Sequence, residues 1–152
     1  MDAKLLNSFL SAIKTILEQI GIPDVKKGKI IKKDIMVIDR EVTSMIGLVD
    51  GIKGNVAYSM DEKTAKNIVS LMMMGMEVSE LDEMARSALG ELTNMMSGTA
   101  SSLIASLGIN FDITPPSIVT GKDVYLILST AETICIELIL SVGIIEVNFA
   151  IE

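Results

Sequence analysis

The chain begins with a helical pattern of hydrophobic and polar positions. Apolar residues recur at three- and four-residue steps from Ala3 to Ile20, the spacing that places them on one face of an α-helix. Gly21 and Pro23 follow, and both residue types are common just beyond the C-terminal end of a helix. The pattern therefore predicts an amphipathic first helix with one buried face.

Shorter runs of aliphatic and β-branched residues come next and are typical of strands. They span Lys29–Asp39, Thr43–Val49 and Ile52–Met60. Asp50-Gly51 lies between the last two runs and is a favoured pair for a two-residue hairpin turn. We therefore expect an antiparallel hairpin after the first helix.

Two more helices are predicted. The second spans Asp61–Met74 with its first residue as N-cap. It ends in the run Leu71-Met-Met-Met-Gly-Met76, which resembles a cofactor-binding box only superficially. Methionine is a flexible, gap-filling side chain, so we expect a buried helix end there. The third helix is expected to be capped by Ser79 and to continue to about Leu107, well above the average helix length.

The last third of the chain is rich in strand patterns. The expected strands are Asn110–Val119, interrupted by Pro115-Pro116, then Val124–Ser129, Thr133–Leu140 and Ile144–Ile151. The last two are apolar on both faces over part of their length, which suggests a covered or a dimeric sheet edge. This order of elements predicts an α+β fold with a largely antiparallel sheet and helices packed on one face, in a single domain over residues 1–152.

Composition narrows the chemistry. The net charge of −7 argues against a nucleic-acid partner. There is no histidine and one cysteine, Cys135, which excludes an internal disulfide, a Cys/His zinc site and a Ser-His-Asp mechanism. No apolar stretch reaches about 18 residues, and the first residues lack a signal-peptide pattern, so we expect no membrane insertion and a cytoplasmic location.

Ser87, Glu91, Asn94 and Gly98 form a polar line along one side of the third helix, within about 60° of one another. The apolar residues opposite are Ala85, Leu89, Leu92, Met96, Leu103 and Leu107. Periodicity alone favours a solvated face. Two features point instead to a surface that another molecule approaches closely. The helix has no Lys or Arg after Arg86, and it carries short residues and glycines that are poor helix formers.

Glu91 and Asn94 lie one turn apart on this line. A carboxylate there can pair with a cation of a partner, and a carboxamide can hold a water molecule in position for in-line attack. Neither group provides a strong nucleophile or a covalent intermediate.

At these residues the sequence resembles the CheC/CheX/FliY phosphatases of chemotaxis. Their motif is Asp or Ser, three residues, Glu, two residues, Asn, then a proline about 23 residues on. Ser87, Glu91 and Asn94 match this spacing, and Pro116 lies 22 positions after Asn94, one short of it. The first helix carries no second copy of the motif, so the likeness is strongest to CheX and one site is expected per chain.

The resemblance implies a phosphatase that hydrolyses the aspartyl phosphate of a CheY-type receiver domain. Glu91 would pair with the receiver's lysine, and Asn94 would orient the attacking water. Ser87, Gly98 and Pro116 would support docking. Mg²⁺ would belong to the receiver, so we expect no metal site and no cofactor in this chain. The resemblance also implies a homodimer and leaves a CheD-like partner open. The alternative is a non-catalytic CheC-like adaptor or a flagellar-switch interaction domain.

Overall fold

A computed structural model describes residues 2–123 and 125–152. Three helices and nine strands lie in this part of the chain: α1 (Ala3–Gln19), β1 (Lys26–Lys33), β2 (Met36–Ile38), β3 (Val42–Val49), β4 (Gly54–Met60), α2 (Glu62–Met72), α3 (Glu83–Ala105), β5 (Asp112–Ile113), β6 (Ser117–Thr120), β7 (Leu126–Ser129), β8 (Thr133–Leu140) and β9 (Gly143–Ile151).

Seven strands form the main sheet in the order β1-β8-β9-β4-β3-β5, and β6 also pairs with β3. All of these pairs are antiparallel. The helices cover one face, and the small sheet formed by β2 and β7 packs on the other face around Ala57 and Ala150. The predicted α+β class, with helices on one face of a largely antiparallel sheet, is confirmed.

The core lies between the helices and the sheet and is mainly aliphatic. Phe9 of α1 contributes one of its few aromatic contacts, with its ring centroid 5.4 Å from that of Phe149 and 6.3 Å from that of Phe111. Because α1 and α3 pack against each other over this core, the long α3 is held on the sheet along most of its length.

β1 is one edge of the main sheet and is strongly basic. Five of its eight residues are lysines. Lysine on an edge strand disfavours pairing with another strand, which keeps this edge from aggregating. Lys33 at its end turns inward, where its Nζ donates to the Val37 carbonyl at 3.2 Å and to Asn148 Oδ1 at 3.3 Å.

Several expected boundaries are wrong. The first strand is split into β1 and β2, which belong to different sheets. Asp50-Gly51 is not a two-residue turn, because Leu48 pairs with Gly54 and a longer connection joins β3 to β4. Asp82, and not Ser79, caps α3. Val124, the first residue of one expected strand, lies outside the described residues, and that strand is observed from Leu126.

The methionine run after α2 is not buried as expected. The helix ends at Met72, and Met74 and Met76 project into solvent with 97% and 66% of their surface exposed. Within this run, Leu71, Met72 and Met73 pack partly against the core.

β8 and β9 are not at an edge of the sheet. They are interior strands, flanked by β1 and β4. Their mixed apolar faces are explained by cover on both sides: Ile136 and Val147 face the helices, while Ala150 contacts the small sheet. The strand bounds expected from alternation are confirmed for β8 and agree within one residue for β9.

Candidate functional site

The first turn of α3 is fixed by its N-cap. The Asp82 carboxylate accepts a hydrogen bond from the Ala85 amide at 2.9 Å, and the Asp82 carbonyl accepts from the Arg86 amide at 2.9 Å. A side-chain acceptor at this position satisfies an amide that the helix cannot pair itself. The cap therefore sets where the helix starts and which residues face outward.

Three residues of the polar line are exposed on α3. They are Ser87, Glu91 and Asn94. The opposite side of the helix is buried, as predicted, at Ala85, Leu89, Leu92 and Met96. The prediction fails at the end of the helix, where Leu103 and Leu107 are 39% and 49% exposed.

An open groove of about 460 Å³ lies along the polar line. One wall is the outer side of α3, and the other is the segment around Pro116 and Ile118. The lining residues are Glu83, Arg86, Ser87, Gly90, Glu91, Asn94, Pro116 and Ile118. The fold therefore brings four of the five predicted site residues together, although Pro116 is 22 positions away from Asn94 in sequence.

The wall that carries Pro116 is held on β3. The Gly47 amide donates to Thr114 Oγ1 at 2.7 Å, and the Thr114 amide donates to the Gly47 carbonyl at 2.9 Å. β6 then pairs with β3, beginning with Ser117 opposite Met45. The Thr114 hydrogen bonds and the pairing of β6 with β3 together fix the position of Pro116 beside α3.

Gly90 forms the floor of the groove. It is buried, and a β-carbon added there would lie 3.5 Å from Pro116 Cγ and 3.7 Å from Ile118 Cδ1. Any larger side chain would fill the space between helix and wall. The absence of a side chain at Gly90 therefore keeps the groove open and lets the two walls approach.

Gly98 does not line the groove, although it lies on the same line of the helix. It is half-buried one turn beyond Asn94, and no atom lies within 4 Å of a β-carbon added there. Sequence reasoning missed Glu83, Arg86, Gly90 and Ile118. Helical periodicity offers a signal for the first three, whereas Ile118 enters only through the pairing of β6 with β3.

Two buried hydroxyl pairs connect the inner side of α3 to the sheet. Thr93 Oγ1 lies 2.6 Å from Ser44 Oγ of β3, and it also lies 2.8 Å from the Leu89 carbonyl. One turn further, Ser97 Oγ lies 3.0 Å from the Tyr58 hydroxyl of β4. Thr93 and Ser97 flank Asn94 in sequence. We call these two pairs the polar pins of α3.

Burial is the main reason for the raised pKa of Tyr58, whose side chain is almost fully enclosed. The hydrogen bond with Ser97 opposes this effect but does not cancel it. Tyr58 is therefore a neutral structural hydroxyl at physiological pH.

Two exposed carboxylates, Glu83 and Glu91, line the groove, and neither has an ion-pair partner in the described part of the chain, where the ion pairs involve other residues. Arg86, which also lines the groove, donates from Nη1 to the Leu81 carbonyl at 2.6 Å. No cluster of three acidic, cysteine or histidine side chains in residues 2–123 and 125–152 has a metal-binding arrangement. The groove thus offers a carboxylate for a partner's cation and a carboxamide for a water molecule.

The family model for the chemotaxis phosphatase CheX matches residues 42–138. The CheY-P phosphatase CheX of Thermotoga maritima is 40% identical over 124 residues, which are 81% of this chain and 79% of that protein. No helix in the described residues has the length and apolar character needed to span a bilayer.

Solved structures agree with this match. The chemotaxis protein CheX from Vibrio vulnificus superposes with a TM-score of 0.86 at 26% identity, over 99% of this chain and all of that one. A CheX–CheY–BeF₃–Mg²⁺ complex from Borrelia burgdorferi contains a chain that superposes with a TM-score of 0.77 at 25% identity, over 97% of each chain.

Proposed function

This chain belongs to the CheX family of chemotaxis phosphatases and is a protein phosphatase, and we propose that its substrate is the aspartyl phosphate of a CheY-type receiver domain. Support comes from the Thermotoga relative, which is a CheY-P phosphatase, and from the Borrelia CheX, which forms a complex with CheY. The chain spans about four fifths of the Thermotoga protein, and the shared region includes most of the fold.

The observation that carries the proposal is the exposed carboxamide of Asn94 in the groove beside α3. Its amide binds a water molecule and aligns it with the phosphorus of a receiver seated over the groove. The water oxygen forms a bond to phosphorus while the bond from phosphorus to the aspartyl oxygen breaks. The products are inorganic phosphate, which takes up the water proton, and the free carboxylate of the receiver. Positioning is the main contribution to such a reaction, because little covalent chemistry is required of the catalyst.

Glu91 supplies alignment in this proposal. Its carboxylate lies one turn from Asn94 and pairs with the lysine of the receiver. Ser87 and Pro116 shape the two walls against which the receiver docks, and Gly98 leaves room for it beyond the groove. Mg²⁺ would be held by the receiver, as the resemblance to the family implies.

The test is phosphate release from a phosphorylated CheY-type receiver, measured with and without the wild-type chain. Asn94→Ala should lower kcat by roughly 10²-fold, the scale for removing one polar contact to the transition state. The matched control is Asn7→Ala, which removes another exposed helical asparagine away from the groove.

Full activity of Asn94→Ala would refute the role of the carboxamide. An inactive wild-type chain that still binds the receiver would instead favour the adaptor function. The homodimer implied by the resemblance is a separate part of this proposal, and light scattering on the purified chain checks it.

A further inference from the structure

Met74 adopts an unusual conformation at the C-terminal end of α2. Its φ is 60°, and the Gly75 amide donates to the Ser70 carbonyl at 2.8 Å, while the Met74 amide donates to the Leu71 carbonyl at 3.3 Å. This is the pattern of a Schellman motif, in which the left-handed residue is usually glycine. A methionine there is strained, and its side chain is 97% exposed, so packing within this chain does not compensate.

The neighbouring segment forms a groove of about 230 Å³ with both apolar and acidic lining residues. Its apolar lining includes Met76, Val78 and Met84, and we call it the methionine groove. Met76 and Met84 are 66% and 65% exposed. Exposed apolar side chains gathered at one place are typical of a surface that binds another molecule.

The rim of the methionine groove is acidic. Glu77, Glu80 and Asp82 line it, and no lysine or arginine does among the described residues. A partner that fits this groove therefore presents an apolar side chain flanked by lysine or arginine. The flexible methionine side chains adapt to partners of different shape.

The methionine groove and the groove along the polar line, which we call the Asn94 groove, both take lining residues from the first turn of α3. Asp82 and Met84 line the former, while Glu83 and Arg86 line the latter. At about 1.5 Å per residue, this turn lies roughly 15 Å from Asn94 along the helix. A standard interface of about 800 Å² per partner reaches roughly 16 Å from its centre. A receiver centred on Asn94 would therefore extend to the methionine groove.

We propose that the methionine groove is a second contact surface for the receiver domain, which it selects through an apolar side chain flanked by cationic ones. This inference rests on the proposed phosphatase function and deepens it. Asn94 and Glu91 contact the receiver's active site, whereas Met76, Met84 and the acidic rim contact the receiver surface beside it.

The experiment measures KM and kcat for phosphate release from phosphorylated CheY-type receivers. The double variant Met76→Ser/Met84→Ser should raise KM about 5- to 10-fold and leave kcat within about twofold. The matched control is Ile127→Ser, which removes an apolar side chain of 65% exposure on β7, outside both grooves, and should change neither constant. An unchanged KM in the double variant, or an equal rise in the control, overturns the proposal.

Met74→Gly gives a second test, in which the thermal midpoint and KM are measured on the same variant. Met74 lies beside the methionine groove and outside its lining. Glycine there relieves the left-handed strain, so the thermal midpoint should rise, and KM should also rise if the receiver's contact covers Met74. Damage to the fold would lower the midpoint instead. A raised midpoint with unchanged KM removes Met74 from the contact surface.

Binding to a beryllofluoride-loaded receiver separates this inference from the proposed function. If the wild-type chain releases no phosphate, the phosphatase proposal fails, and the affinities of the double variant and of Ile127→Ser still decide on the groove. If phosphate release is normal and both variants bind like the wild type, the methionine groove alone is refuted.

Discussion

The hydroxyls of Ser44 and Thr93 lie 2.6 Å apart in a fully buried position between β3 and α3. Thr93 precedes Asn94, so this contact holds the helix directly behind the residue that we place at the attacking water. Apolar packing alone tolerates small rotations of a helix, whereas a hydrogen bond between buried groups has a defined distance and direction.

Thr93→Val should test this pin. It keeps the side-chain shape but leaves the Ser44 hydroxyl without that partner, which should lower the free energy of unfolding by about 1–3 kcal/mol. We expect kcat for phosphate release to fall several-fold with little change in KM, because the helix can rotate. Thr93→Ser, which keeps the hydroxyl, should restore kcat. The double variant Ser44→Ala/Thr93→Val should recover stability but not kcat, and recovery of both would show that the pin is purely structural.

Removal of the charge at Glu91 should mainly affect docking. Glu91→Gln should raise KM about tenfold at low ionic strength with a small effect on kcat, because an exposed interfacial charge acts on encounter and alignment. The difference should shrink at high salt as screening weakens the contact. Glu132→Gln makes the same charge change at an exposed site outside the groove. Equal KM values for the two variants would contradict the pairing role.

Gly98→Ala should separate stability from docking. Alanine in place of a helical glycine stabilises by up to about 1 kcal/mol, and the added β-carbon meets no atom within 4 Å. Denaturant unfolding should therefore show a gain in stability. If the receiver covers this position, KM should rise at the same time. A gain in stability with unchanged KM would place Gly98 outside the docking surface.

Tyr58 should make the fold sensitive to high pH. Its pKa is raised by burial, so the folded state favours the neutral phenol. Stability from this group is fully present below about pH 10, the ordinary tyrosine pKa, and is lost as pH rises above it by up to about 1.4 kcal/mol per pH unit. Urea unfolding across this range should show that Tyr58→Phe declines less steeply than the wild type.

The buried thiol calls for a control in the alkaline experiment. Burial, the largest cause, also raises the pKa of Cys135, which adds its own loss of stability at high pH. The chain that keeps Tyr58 and the Tyr58→Phe variant are therefore compared with Cys135→Ala present in both. If the chain that keeps Tyr58 and the Tyr58→Phe variant then lose stability with identical slopes, the phenol does not titrate with unfolding.

Much of the fold can be predicted from sequence because period-two and period-3.6 patterns reflect which side of each element is buried. These patterns locate α1 and β8 almost to the residue. The division of Lys29–Asp39 between two sheets could not be predicted, because it depends on which strands β1 and β2 meet. The expectation for the methionine run is wrong for a similar reason: composition does not reveal that α2 ends before Met74.

The candidate site shows the same division. Ser87, Glu91 and Asn94 share one helix, so their relative positions follow from helical geometry. The opposite wall depends on the anchorage of Thr114 to Gly47 and on the pairing of β6 with β3, which are contacts between distant parts of the chain. Pro116 could be predicted only from the motif spacing of the family. Ile118, the other residue of that wall, lies on β6 and is marked by no sequence motif.

The basic strand β1 affects how charge is distributed over the molecule. It lies at one edge of the main sheet, and β6, beside the Asn94 groove, lies at the other, so five strand spacings of about 4.8 Å separate them by roughly 24 Å. Five of the thirteen lysines and arginines belong to β1, while the start of α3 is acidic. Basic charge is thus concentrated at one edge of the sheet, and acidic charge lies beside the groove. In the field of a partner with a cationic face, the chain would turn its groove toward that partner before the two surfaces touch.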